Sequence, residues 1–363
     1  MINPKHLLIR ADASSTIGTG HIMRCLALAQ GWQRRGGRAK FLSCCDSNRL
    51  QRRIINEGID FIHIENPYPD PSDLKTTQDI LQKTQRGKSL QTGPWIVIDG
   101  YHFDSTYQKL IREEGFNLLV IDDMANQPFY YADIILNQNI HADQSSYHFD
   151  SDTKLLLGSD YTILRQEFLT YGTSKREIPG FAHRILVTLG GADSKNVTLE
   201  VIKALSMIND PDLQVKIVIG TSNPNLQSLQ AALCNLPSTF HLLSSVDNIP
   251  ELMHWADMAI SGGGTTCWEM AFMGLPNLII ILADNQRSNA EELNKAGCSK
   301  NLGFYDKLSY EKITLEINKM LRDTGQRKGM SIAGKNLIDG RGIDRVLNEM
   351  NTIYDLPEAR NGE

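Results

Sequence analysis

Leu7-Leu8-Ile9-Arg10-Ala11-Asp12, followed by Ile17-Gly18-Thr19-Gly20-His21-Ile22-Met23-Arg24, sets the architecture of this chain. The first run is short, apolar and closed by an acid, which reads as a strand. Beyond the glycines, apolar side chains recur at Ile22, Cys25, Leu26, Ala29 and Trp32, which is helical spacing. Strand, glycine loop and helix together open an α/β unit. His21 falls in the first turn of the helix, where free N–H groups and the positive end of the dipole attract phosphate. The same field disfavours imidazolium, so the pattern predicts a neutral imidazole placed to act as a general base.

The alternation continues along the chain. Strands are predicted over 7–10, 39–43, 61–64, 95–98, 118–121 and 134–136, and then over 185–188, 214–219, 239–242, 258–260, 277–281 and 299–303. Helices are predicted between them and again over 310–323 and 344–354. This is an α/β class with parallel sheets. A length of 363 residues fits two domains. The expected division is a Rossmann-like domain over 1–170, a polar, proline-bearing linker over 171–183, a second Rossmann-like domain over 184–345, and a closing helix and tail over 346–363. Doubly wound sheets bind ligands at the carboxyl ends of their strands, and two of them place a cleft between them.

Composition excludes several functions. The net charge of −5 gives no footprint for nucleic acid. Arg34, Arg35, Arg38 and Lys40 read as a solvated helix end. No signal peptide is expected at the N-terminus. The longest apolar run, 278–283, is far short of the ~18 residues that span a bilayer. The six cysteines have neither zinc spacing nor a disulfide rhythm. The expectation is a cytoplasmic monomer without stable membrane insertion, metal or cofactor.

Several stretches carry candidate chemistry. Gly18-Thr19-Gly20-His21 begins like a dinucleotide fingerprint, but Met23 occupies the third glycine position and no acid follows at the right distance, so a nicotinamide site is rejected. Ser261-Gly262-Gly263-Gly264-Thr265-Thr266 follows an apolar strand and precedes a helix, leaving backbone N–H groups to face an anion. Glu269 lies about one turn into that helix, within reach of a vicinal diol such as a ribose. Gly190-Gly191-Ala192-Asp193 is a second strand-end glycine pair and a candidate nucleotide wall. Asn285 and Gln286 close another strand and can donate to phosphate or sugar oxygens, although such residues also make turns. Asp99-Gly100-Tyr101 and Asp122-Asp123 end two further strands; these acids can hold a proton or a metal, or simply cap and turn the chain.

Taken together, residues 9–12 and 18–29, Ile98-Asp99-Gly100-Tyr101, Ile121-Asp122-Asp123, Leu136-Asn137-Gln138-Asn139 and 157–165 resemble the PseG family, the UDP-sugar hydrolases of pseudaminic acid biosynthesis. In the second half the triple glycine and Gly274-Leu275-Pro276 also resemble MurG-type glycosyltransferases. The resemblance implies a GT-B architecture with UDP held mainly by the second domain. It implies hydrolysis of UDP-2,4-diacetamido-2,4,6-trideoxy-β-L-altropyranose by water attack at the anomeric carbon, with inversion and no required metal. It places the catalytic histidine on His21, a sugar-contacting tyrosine on Tyr101, an amide near the phosphates on Asn285 and the ribose-binding acid on Glu269. Gly18 and Gly20 then line the sugar, while Gly190, Gly191, Gly262, Gly263, Gly264, Thr265 and Gln286 line the nucleotide. Gly100 and Asp284 depart from the family pattern. A glycosyltransferase of the same fold, a non-catalytic sugar-nucleotide binder and an epimerase are the rival readings.

Overall fold

Runs such as Trp95-Ile-Val-Ile-Asp99 and Asn277-Leu-Ile-Ile-Ile281 are buried at every position. Continuous apolarity of this kind is what a parallel strand covered on both faces requires. The protein is described from a computed structural model, for residues 5–14, 17–85, 94–172, 174–191, 193–220, 223–244, 246 and 248–354. Ala192 and the tail beyond 354 lie outside the described residues.

The chain forms two compact units, Met1–Gln166 with Arg341–Glu363, and Glu167–Gly340. The first runs β1 (His6–Ala11), α1 (Gly20–Arg34), β2 (Arg38–Ser43), α2 (Asn48–Asn56), β3 (Asp60–His63), α3 (Pro71–Gln85), β4 (Trp95–Asp99), α4 (Ser105–Glu113), β5 (Asn117–Ile121), β6 (Ile134–Asn137) and β7 (Lys154–Leu157). After the short α5 (Gln166–Leu169), the second runs β8 (Arg184–Thr188), α6 (Val197–Ser206), β9 (Gln214–Ile219), α7 (Leu226–Leu233), β10 (Phe240–Ser244), α8 (Ile249–Trp255), β11 (Met258–Gly262), α9 (Thr266–Phe272), β12 (Asn277–Ile281), α10 (Arg287–Lys295), β13 (Lys300–Phe304), α11 (Tyr310–Arg322) and α12 (Thr324–Leu337). The last helix, α13 (Gly342–Tyr354), returns to the first unit.

Both sheets are parallel throughout. Their orders are β3-β2-β1-β4-β5-β6-β7 and β10-β9-β8-β11-β12-β13. In each the strand order reverses between the first and fourth strands, and the crevice beyond the carboxyl ends there is where doubly wound sheets take ligands. In the first unit β1 and β4 flank that point, with Ala11 opposite Asp99. In the second, β8 and β11 flank it, with Thr188 opposite Ser261.

Three features depart from the sequence-based expectation. The strand Lys154–Leu157 extends the first sheet beside β6. Arg176, in the stretch expected to link two domains, is packed into the second unit: its guanidinium donates to the carbonyls of Met273 at 2.9 Å, Ala256 at 2.6 Å and Met253 at 2.5 Å. The closing helix is no appendage, because Ile343, Val346, Leu347 and Met350 are buried in one core with Leu26, Ala29 and Trp32 of α1. Gly31 makes that docking possible, since a Cβ there would lie 2.3 Å from Ile343 Cγ2. Among the described residues no helix is long and apolar enough to cross a membrane.

Candidate active site

The first turn of α1 and the ends of β4 and β5 converge on one buried array. His21 is 6% exposed, Arg24 5% and Asp99 0%. His21 Nδ1 lies 2.6 Å from Asp99 Oδ1. A carboxylate only accepts, so Nδ1 carries the proton and Nε2 is left as the basic atom of the ring. Arg24, three residues on along the same helix face, donates from Nε to Asp99 Oδ2 and from Nη2 to Oδ1, each at 2.6 Å. Its other edge donates from Nη1 and Nη2 to the two oxygens of Asp123, each at 2.8 Å. Asp123 also accepts from Asn139 Nδ2 at 3.0 Å and from the Tyr101 hydroxyl at 3.1 Å. The Tyr101 ring meets the imidazole edge-on, with centroids 4.8 Å apart, and remains 46% exposed. The arrangement is a base oriented by a buried acid, beside a half-open aromatic wall.

Neighbouring acids divide by role. Asp122 accepts the backbone N–H groups of Met124 at 3.0 Å and Ala125 at 2.7 Å and the hydroxyls of Tyr130 and Tyr147, so it shapes the turn after β5. Asp123 belongs to the array. The loop before α1 turns at Gly18, whose φ of +81° suits glycine alone and whose N–H donates to Ser14 O at 2.9 Å. Gly20 is the first residue of α1.

In the second unit the glycine loop after β11 is locked from below. Gln286 Oε1 accepts from Gly263 N and Leu282 N, each at 3.0 Å, tying the loop to the end of β12. A Cβ on Gly263 would sit 3.0 Å from Gln286 Cβ and 3.1 Å from its carbonyl oxygen. Gly262 is the last residue of β11, and a Cβ on Gly264 would meet nothing within 4 Å. Thr265 stands at the N-terminus of α9 without a side-chain cap bond. Glu269 is half-buried on that helix, and Asn285 is exposed in the turn after β12. After β8, Gly190 has φ +91°, and Gly191 O accepts from Gly220 N at 3.1 Å. Asp193 caps α6 through Val197 N at 2.9 Å and Thr198 N at 2.8 Å.

Residues 184–343, nearly all of the second unit, match the glycosyltransferase family 28 C-terminal domain. The chain is 24% identical to the spore coat polysaccharide biosynthesis protein SpsG of Bacillus subtilis, covering 96% of this chain and 99% of that protein. It is 27% identical to the UDP-2,4-diacetamido-2,4,6-trideoxy-beta-L-altropyranose hydrolase of Campylobacter jejuni, covering 80% and 97%. The solved structure of MurG from Acinetobacter baumannii superposes with a TM-score of 0.64 at 16% identity, covering 96% of this chain and 100% of that one. This chain has the MurG-like GT-B fold.

Within this GT-B fold, the structure brings His21 and Tyr101 together in the first unit, and Gly262, Gly263, Gly264, Thr265 and Gln286 together in the second. The residue that sequence reasoning missed is Arg24, with Asp99 as its partner. The signal was present: an arginine three positions after His21, on a helix whose buried positions include Ile22, Cys25 and Leu26.

Electrostatics make the first-unit array sensitive to acid. Burial alone would push the Asp99 and Asp123 carboxyls up, but Arg24 outweighs burial and holds both below the ordinary range, with His21 helping at Asp99. Asp12 is also held low against its burial, by His102 and Arg10. Folded values below the unfolded ones give stability that is complete above the unfolded value of about 3.9 and is lost as pH falls through the folded values. Thermal melting is therefore expected to hold steady down to about pH 4 and to fall steeply toward about pH 2. A melting temperature indifferent to that last interval would contradict these pairings.

Proposed function

We propose that this protein hydrolyses UDP-2,4-diacetamido-2,4,6-trideoxy-β-L-altropyranose to UDP and 2,4-diacetamido-2,4,6-trideoxy-L-altrose. The observation that carries the reading is the buried His21–Asp99 pair, which leaves Nε2 basic at the ligand-binding edge of the first sheet. The Campylobacter jejuni relative, named for this reaction, supports the choice of sugar. The family 28 domain supports a nucleotide held by the second unit.

In this mechanism a water proton passes to His21 Nε2 as the water oxygen bonds to the anomeric carbon. The bond from that carbon to the β-phosphate oxygen breaks, its electron pair leaving with UDP, and the configuration inverts. Asp99 steadies the imidazolium until the proton reaches solvent. Tyr101 lies against the sugar, with Gly18 and Gly20 shaping the turn beside it. Gly190, Gly191 and the loop from Gly262 to Thr265 face the diphosphate, Gln286 keeps that loop in shape by accepting the Gly263 N–H, Asn285 donates to phosphate oxygen and Glu269 accepts from the ribose.

The family 28 match favours one alternative, transfer of the sugar to an acceptor hydroxyl. Incubation with the UDP-sugar alone separates the two. The hydrolase reading expects equal amounts of UDP and free sugar without acceptor. Release that waits for an added acceptor would establish the transferase.

A further inference from the structure

A second histidine–aspartate pair lies at the same edge of the first sheet. Asp12 follows β1 and Asp99 ends β4, on strands paired through Ala11 and Asp99. Asp12 is 1% exposed, and its Oδ2 lies 2.9 Å from His102 Nε2. The carboxylate is otherwise fully engaged: Arg10 donates to both of its oxygens, and Cys44 N donates to Oδ1 at 2.6 Å. Arg10 is in turn bound by Asp73, whose oxygens also take the Tyr107 hydroxyl and Tyr68 N, each at 2.9 Å. Asp12 is thus a fixed acceptor, and the imidazole it holds cannot rotate without breaking their bond.

An acceptor at Nε2 fixes the proton there and leaves the His102 Nδ1 lone pair. Among the described residues no hydrogen bond to Nδ1 is found, and the side chain is 24% exposed. The ring rests on Phe103, with centroids 4.0 Å apart, and over Gly100. A Cβ on Gly100 would stand 2.8 Å from His102 Cε1 and 3.1 Å from Nδ1, so this glycine provides the space the ring occupies. The residue between them is Tyr101, which packs on His21.

We propose that His102 is a substrate-positioning residue whose Nδ1 accepts a hydrogen bond from an O–H or acetamido N–H of the sugar. This rests on the reading of the first-unit edge as the sugar site. A second fixed contact would orient the ring so that one face of the anomeric carbon meets the water held by His21.

The test uses two substitutions in the full chain, with a control for each alternative. His102→Gln keeps an amide near the Nε2 position, able to donate to Asp12, but loses Nδ1. If His102 only satisfies Asp12, this variant behaves as the parent. The proposal expects KM for the UDP-sugar to rise about ten-fold or more, with UDP affinity and thermal stability retained. Gly100→Ala should raise KM in the same direction by displacing the ring, and adding it to His102→Gln should cause little further change. Independently of turnover, the imidazole Nδ1 resonance of His102 in His21→Ala protein should shift on adding the UDP-sugar and not on adding UDP. Parent-like KM in His102→Gln, or a resonance indifferent to the sugar nucleotide, overturns the proposal while leaving hydrolysis by His21 intact. Failure of the unsubstituted protein to release UDP would instead count against the reading of the site.

Discussion

Replacing His21 by alanine is expected to reduce turnover of the UDP-sugar by roughly 10²–10⁴-fold while leaving affinity for UDP unchanged. The size of the effect follows from the loss of the proton acceptor. Water attacking without one must shed its proton to solvent in the transition state. The retained affinity follows from the assignment of the nucleotide to the loops after β8 and β11, which belong to the second unit, while His21 belongs to the first. Initial rates and calorimetric titration with UDP measure the two quantities separately. Near-parental turnover in His21→Ala would remove the general base from the account, whatever happened to binding.

Arg24→Ala is expected to be the most destabilising single change in the array, by roughly 3–5 kcal/mol, because it leaves buried carboxylates unpaired. Arg24 is 5% exposed and makes four charge-assisted hydrogen bonds, two to Asp99 and two to Asp123. Without it, Asp99 keeps the imidazole and Cys25 Sγ, the latter at 3.4 Å, and burial then pushes the carboxyl toward its neutral form. A neutral Asp99 orients the ring poorly, so activity should fall along with stability. Arg24→Lys should rescue little of either, since one ammonium cannot bridge two carboxylates in the geometry of the guanidinium fork. Denaturant unfolding should show a lower midpoint at an unchanged slope. Parental stability in Arg24→Ala would mean that the two acids are held by something other than this arginine.

Most of the fold was legible in the sequence because its central strands, such as Trp95–Asp99 and Asn277–Ile281, are short continuous apolar runs between helical patterns. The exceptions have physical causes. Lys154-Leu-Leu-Leu157 has no β-branched residue and spans only four positions, so it gives little strand signal. The helix Thr324–Leu337 carries glycines at 325, 329 and 334, which weaken local helix propensity. Packing explains the last of them: a Cβ on Gly334 would stand 2.8 Å from Ala271 O, so the glycine allows α12 to lie against α9. Nor does the pattern over 344–354 reveal that this helix leaves the unit preceding it to bury Val346 and Met350 against α1, because periodicity reports a buried face and not its partner.

The site was legible in part for a related reason. His21 stood out because a glycine loop and a helix start are local in sequence. Its partner Asp99 is 78 positions away, joined to it only by the pairing of β1 with β4. The doublet Asp122-Asp123 is symmetrical in sequence and divided in structure, one acid turned toward backbone N–H groups and the other toward Arg24. Gln286 similarly reads as a ligand-facing amide, yet its oxygen holds Gly263 and Leu282.

The central claim is that water, activated by His21, attacks the anomeric carbon. It is tested most directly by running the reaction in oxygen-18 water with the UDP-sugar as sole substrate and weighing the released UDP by mass spectrometry. The account predicts UDP released in step with free sugar and carrying no heavy oxygen, because the bond broken lies between carbon and oxygen. Heavy oxygen in the β-phosphate of UDP, or no release at all until an acceptor is supplied, would contradict it.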